Sequence, residues 1–129
     1  MWPDESVWRQ VLAAMPAGEV EVSEELAVAF VGSDDFKAKN GSAWLWWPGG
    51  RGRLAQRCDW DGFFPADWGM LLVMSEAALD TVRAEGESCM AGLVRRGKIM
   101  PFLLQQRDTL EAAGILDFIE SLELATPKH

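Results

Sequence analysis

"NGSAWLWWPGGRGRLAQR", residues 40–57, is the stretch on which the fold turns. Read as two strands, "SAWLWW" and "RGRLAQRC", paired around the glycine-rich loop "PGGRG", it predicts a β-hairpin with a five-residue loop, a common hairpin length. Pairing Trp47 with Arg53 sets the register, so that Trp44 faces Gln56. One face then carries Trp44, Trp46 and Leu54, which is apolar enough for a core. The other carries Ala43, Leu45, Trp47, Arg53 and Arg57. A guanidinium lying on an exposed indole contributes about 0.5–1 kcal/mol. A slip of one residue would exchange these faces, because side chains alternate along a strand.

The charge of the segment sets it apart. Residues 37–57 hold Lys37, Lys39, Arg51, Arg53 and Arg57 and no acid, whereas the 129-residue chain has a net charge of −8. Two readings follow. The cations recognise an anion such as phosphate or an acidic protein patch, or they are solvated residues that keep a sheet edge from pairing with another chain.

Working outward, "PDESVWRQVLAAM" carries Val7, Trp8, Val11, Leu12 and Met15 at helical spacing. This predicts an amphipathic N-terminal helix stopped by "PAG" at 16–18. "EVEVSEELAVAFVG", residues 19–32, alternates with Val20, Val22, Leu26, Val28 and Phe30 on one parity, which favours strands with a break near "SEE". A short helix over 24–31 is the competing reading, since Ala, Leu and Glu favour helix. Two turns are expected in "GSDDFKAKNGS". "CDWDGFFPADWG" reads as an irregular aromatic loop and "MLLVMS" as a buried strand. From Ser75, a good helix cap, the chain reads as helical. Arg95, Arg96 and Gly97 suit one helix end, and Pro101 opens the next helix, which Gly114 closes. Strands grouped before helices predict an α+β domain spanning residues 1–129: an N-terminal helix, an antiparallel sheet of about four to five strands, and C-terminal helices on one face.

Composition narrows the function. His129 is the single histidine, which argues against a histidine-based acid/base, triad or metal site. Cys58 and Cys89 lie in no C-x-x-C pair, so free thiols are expected. Arg57 would lower the Cys58 pKa and Asp59 would raise it, and a structural thiol is the better reading. Asp59, Asp61 and Asp67 do not match a calcium loop and suit Asx turns instead. No cofactor or metal is expected. The N-terminus lacks a basic region followed by an apolar run, and no stretch is long and apolar enough for a membrane span, so a cytoplasmic protein is expected.

Seven tryptophans and six phenylalanines remain to be placed. In the loop, Trp60, Phe63, Phe64 and Trp68 form either a lid on the core or an exposed patch that marks a partner. In size and acidity the chain resembles small immunity proteins, antitoxins and secretion chaperones, a likeness of composition. The expectation is a non-catalytic, tryptophan-rich protein-binding or regulatory module whose binding residues are Trp47, Arg51, Arg53, Arg57, Trp60 and Trp68. Its partner would be another protein of basic character, with a homodimer left open. The net charge disfavours nucleic acid. The alternative is a small-ligand or anion-binding domain that uses the Trp/Arg hairpin and the aromatic loop.

Overall fold

The computed structural model describes residues 5–14, 26–48 and 56–123. The segments predicted as a helix stop at 16–18 and a strand at 19–25, together with Arg51 and Arg53, lie outside them. Helix α1 (Glu5–Ala13) buries Trp8, Val11 and Leu12 of the predicted stripe, with Val7 half-buried and Met15 outside the described residues. Strand β1 (Ala27–Gly32) follows, so the alternation, not the helix propensity, decides this segment. It is buried on both faces, because it lies at the centre of a sheet.

Strands β2 (Gly41–Trp46), β3 (Gln56–Trp60), β4 (Trp68–Met74) and β5 (Ile99–Leu103) complete a five-stranded sheet of order β3-β2-β1-β4-β5. The pairings β1–β2, β2–β3 and β4–β5 are antiparallel. The pairing of β1 with β4 is parallel, so the sheet is mixed rather than purely antiparallel. The α+β class and the helices at both ends of the chain are as the sequence predicts.

Two connections depart from expectation. Residues Ser33–Ala38 form a short helix, α2, where turns are predicted. Its acids Asp34 and Asp35 occupy the first turn, where the helix dipole favours them. The chain leaves it through Lys39 in the left-handed region (φ 54°). The Asp35 carboxylate then accepts the Ser42 backbone N–H at 3.2 Å. Gly41 has to be glycine here: its φ is +144°, and a Cβ would fall 2.3 Å from the Asp35 carboxyl carbon.

The second departure is β5, where Pro101 is expected to open a helix. Residues 99–103 instead pair with β4. Leu104 donates its N–H inward to Gly69 at 3.0 Å, and the Lys98 carbonyl accepts inward from Ser75 at 3.0 Å. By alternation, the even residues between them also face β4, and Ile99, Pro101 and Leu103 face the open edge. Pro101 therefore sits where its missing N–H costs no ladder bond, an arrangement tolerated on edge strands.

The C-terminal helices are α3 (Glu76–Glu85), α4 (Met90–Arg95), α5 (Arg107–Ala112) and α6 (Leu116–Ser121), with a 3-10 turn at Gly86–Cys89. Ser75 caps α3, its Oγ accepting from Ala78 N at 3.1 Å. Arg96 Nε donates to the Gly92 carbonyl near the α4 end, and Arg95 pairs with Glu123 at 3.4 Å.

The sheet thus separates two cores. On the helix-covered face, Leu26, Val28, Phe30, Trp44, Trp46, Met70 and Leu72 pack against α1 and α3–α6. Phe118 of α6 meets Trp46 edge-to-face at 5.1 Å, and Trp8 of α1 meets Phe30 at 5.0 Å. The second face is built from Ala27, Ala29, Val31, Ala43, Leu71 and Val73, with Trp60 and Trp68 above them.

Candidate functional site: an aromatic ladder on the second face

The parallel β1–β4 pair creates this site. Strand β3 ends beside Gly41, and β4 begins beside Ala27 at the other end of the sheet. Between them the chain must move three strands sideways, about 14 Å at normal strand spacing, and also back along the strands. Parallel connections usually need a dozen or more residues and a helix. Here residues 61–67 make the journey as a short strap across the second face, with a bend at Gly62 and a turn at 66–67.

Small side chains make room for it. Ala27, Ala29 and Ala43 leave a shallow bed into which large rings settle. Phe64 of the strap lies between Trp60 and Trp68, at ring-centroid distances of 6.1 and 6.3 Å. On its other side Trp60 stacks on Phe36 of α2 at 6.3 Å with planes 3° apart. Phe36 in turn stacks on Phe102 of β5 at 5.8 Å. The result is a continuous ladder, Phe102–Phe36–Trp60–Phe64–Trp68, with each rung inside the distance range of favourable ring pairs. The Trp60 indole N–H donates to the Phe63 carbonyl at 2.8 Å, and Asp61 closes an Asx turn by accepting from Phe63 N at 3.2 Å. Gln105 Nε2 donates to the Ala66 carbonyl at 3.1 Å and ties down the far end of the strap.

The ladder is not sealed. Phe64 is 47% exposed, Phe102 36%, the neighbouring strap residue Phe63 77%, and Met100, on the same face of β5 as Phe102, 51%. These are the exposed large hydrophobic residues among the described ones. All four lie on the strap or on the strap-side face of β5.

The predicted binding residues are distributed differently. Trp47 is half-buried and packs with the second-face core, on the side where alternation puts it. Arg57 is exposed but pairs with Trp44, not with Ala43. The register is shifted by one from the predicted one, and that shift turns Arg57 to the helix-covered side, where its guanidinium donates to Ser42 Oγ at 3.2 Å. Trp47 and Arg57 therefore do not share a face, and the predicted indole–guanidinium pair does not form between them. Trp60 and Trp68 are 4% and 2% exposed, so both lie in the core and support the ladder. Sequence reasoning did not select Phe36, Met100 or Phe102. The signal for them was the alanine row on one parity of β1 and β2, which marks a face that takes large rings.

Cys58, also on this face, is half-buried beside Ala43. Burial pushes its thiol pKa up, and the charges of Asp59 and Asp67 push the same way, against a backbone hydrogen bond from Ala43. The folded chain keeps this thiol protonated above the ordinary value of 9.0, so the associated stability is intact below that pH and is lost as pH rises through the folded-state pKa. Alkylation at about pH 8 should be slower at Cys58 than at cysteine in an unstructured peptide, and should climb with pH. Peptide mapping by mass spectrometry checks this, and peptide-like reactivity would remove the buried-thiol assignment.

Neither a protein-family model nor a curated protein matches the chain. Among solved structures, the chain is similar to the stereoselective inverting sec-alkylsulfatase Pisa1 from Pseudomonas sp. (TM-score 0.41) and to a double mutant of the sec-alkyl sulfatase PisA1 (0.42). Identity is 13% in both, over 84% of this chain, and the chain spans 14% of the length of each. A likeness at that level carries no functional inference. Among the described residues no group of His, Cys, Asp and Glu could hold a metal ion, and no helix is long and apolar enough to cross a membrane.

Proposed function

We propose that this chain is a non-catalytic protein-binding module, and that its contact surface is the aromatic second face. The carrying observation is the grouping of Phe63, Phe64, Met100 and Phe102 on one side of the sheet. Scattered exposed apolar residues are ordinary, but these lie on one face, with Phe64 and Phe102 joined through the rings of Trp60 and Phe36. Phe64 and Phe102 are held by stacking on Trp60 and Phe36, so little side-chain entropy is left to lose on binding. The binding role expected of the tryptophans passes to the phenylalanines that they support.

The test is site-specific photocrosslinking in the source cell. A photoreactive phenylalanine analogue at Phe63 or Phe102 should capture the same partner, while the analogue at Asp80, exposed on α3, should not. Phe63→Ala with Met100→Ala removes exposed surface at little cost in stability and should weaken binding of the captured partner at least about tenfold. Adducts that form equally well from Asp80, or none from the ladder, would remove the second face as the contact surface.

A further inference from the structure

We infer that the partner presents a cationic apolar polypeptide segment, seated on the sheet face through its side chains and not added as a strand at the β5 edge. The inference rests on the second face being the contact surface, and two independent features of that face support it.

The first is charge. Residues 58–74 contain no lysine or arginine and carry Asp59, Asp61 and Asp67, of which Asp59 faces the helix-covered side with Ser42 and Arg57. Two of these acids bracket the exposed phenylalanines: the strap reads Asp61-Gly-Phe63-Phe64-Pro-Ala-Asp67. Both carboxylates are exposed, and neither is ion-paired among the described residues. Asp67 ends the strap immediately before Trp68, and its charge is among those that raise the Cys58 thiol pKa. Cations do approach the other end. The Lys39 backbone and Cβ lie against Gly62, and Lys37 lies on α2. Arg57 is turned to the opposite side of the sheet. Among the described residues no ion pair involves Asp67, which adjoins Trp68 at the end of the strap. An apolar side chain flanked by lysine or arginine meets both features at once. Its apolar part lies on the rings, and its charge reaches the carboxylates or the ring faces.

The second feature is the edge. Adding a strand to a sheet requires a row of outward N–H and C=O groups. On β5 the outward positions are Ile99, Pro101 and Leu103, and the central one has no N–H to give. Met100 and Phe102 instead point from the same strand onto the face.

Three labelled amphipathic peptides with identical Leu and Phe positions test this: one with Lys and Arg as its polar residues, one with Gln and Ser, one with Glu. Fluorescence anisotropy with the full chain should show binding of the cationic peptide, weakening as salt rises to ~0.5 M. The neutral peptide should bind at least about tenfold more weakly, and the anionic one not at all. Asp61→Asn with Asp67→Asn should bring the cationic peptide close to the neutral one while the circular dichroism spectrum and melting curve stay as in the parent. Equal binding of all three peptides would overturn the cationic assignment and leave the second face as the contact surface. Retained binding in the double asparagine variant would overturn the role of the strap carboxylates. Binding by none of the three would overturn the inference, and the contact surface would then stand or fall on the crosslinking alone.

Discussion

Replacing Trp60 by alanine is expected to destabilise the domain by about 3–5 kcal/mol, the range for removing a large buried aromatic side chain. Trp60 is 4% exposed and is the central rung of the ladder. Its loss opens a cavity over Ala43 and Cys58 and removes the stacks on Phe36 and Phe64 together. It also removes the indole N–H that fixes the Phe63 carbonyl. A domain of this size has about 5–15 kcal/mol of total stability, so a large share would go. Trp60→Phe separates the contributions. It retains ring stacking and loses the hydrogen bond, which in such cases contributes about 0.5–1.5 kcal/mol, besides part of the ring volume. Urea unfolding followed by far-ultraviolet circular dichroism measures both variants. An alanine variant of parental stability that no longer bound the partner would make Trp60 a contact residue and the ladder unnecessary to the fold.

The matching experiment on the other face is Phe118→Ala, for which a loss of about 3–5 kcal/mol is again expected. Phe118 is fully buried and meets Trp46 edge-to-face, linking α6 to β2. The two substitutions should differ in one respect. Under conditions where each variant is still folded, Phe118→Ala should bind the captured partner as the parent does, because the strap is untouched. Trp60→Ala should bind more weakly, because Phe63 and Phe64 lose their support. Phe118→Leu, which conserves much of the volume, should cost under about 1.5 kcal/mol. Equal binding loss in both alanine variants would mean that the two faces of the sheet are not independent.

These expectations depend on facts that the sequence discloses unevenly. The division of Trp44 and Trp46 from Trp47 is legible because alternation is a local property of one strand. The position of Arg57 is not, because it depends on the pairing across a glycine-rich turn, and "PGGRG" fits more than one register. Helix α2 has one apolar residue with a clear destination, Phe36, so no stripe announces it. Strand β5 is missed because Pro101 serves equally well as a helix opener and as an edge-strand residue. Only the pairing with β4 distinguishes the two, and that pairing joins residues about 30 positions apart. The buried state of Trp60 and Trp68 has the same origin. It follows from the parallel β1–β4 pair, which no local pattern encodes.

That parallel pair also sets an order of events during synthesis. Strands β1, β2 and β3 can associate as they leave the ribosome, yet β1 then presents a bare, strongly apolar flank where β4 belongs. The vacancy lasts until residues 68–74 emerge, and the new strand then docks on that open flank. Non-local pairings of this kind slow folding, and an unfilled flank is a template for neighbouring nascent chains. Residues 61–74 are therefore the segment whose arrival closes the centre of the sheet.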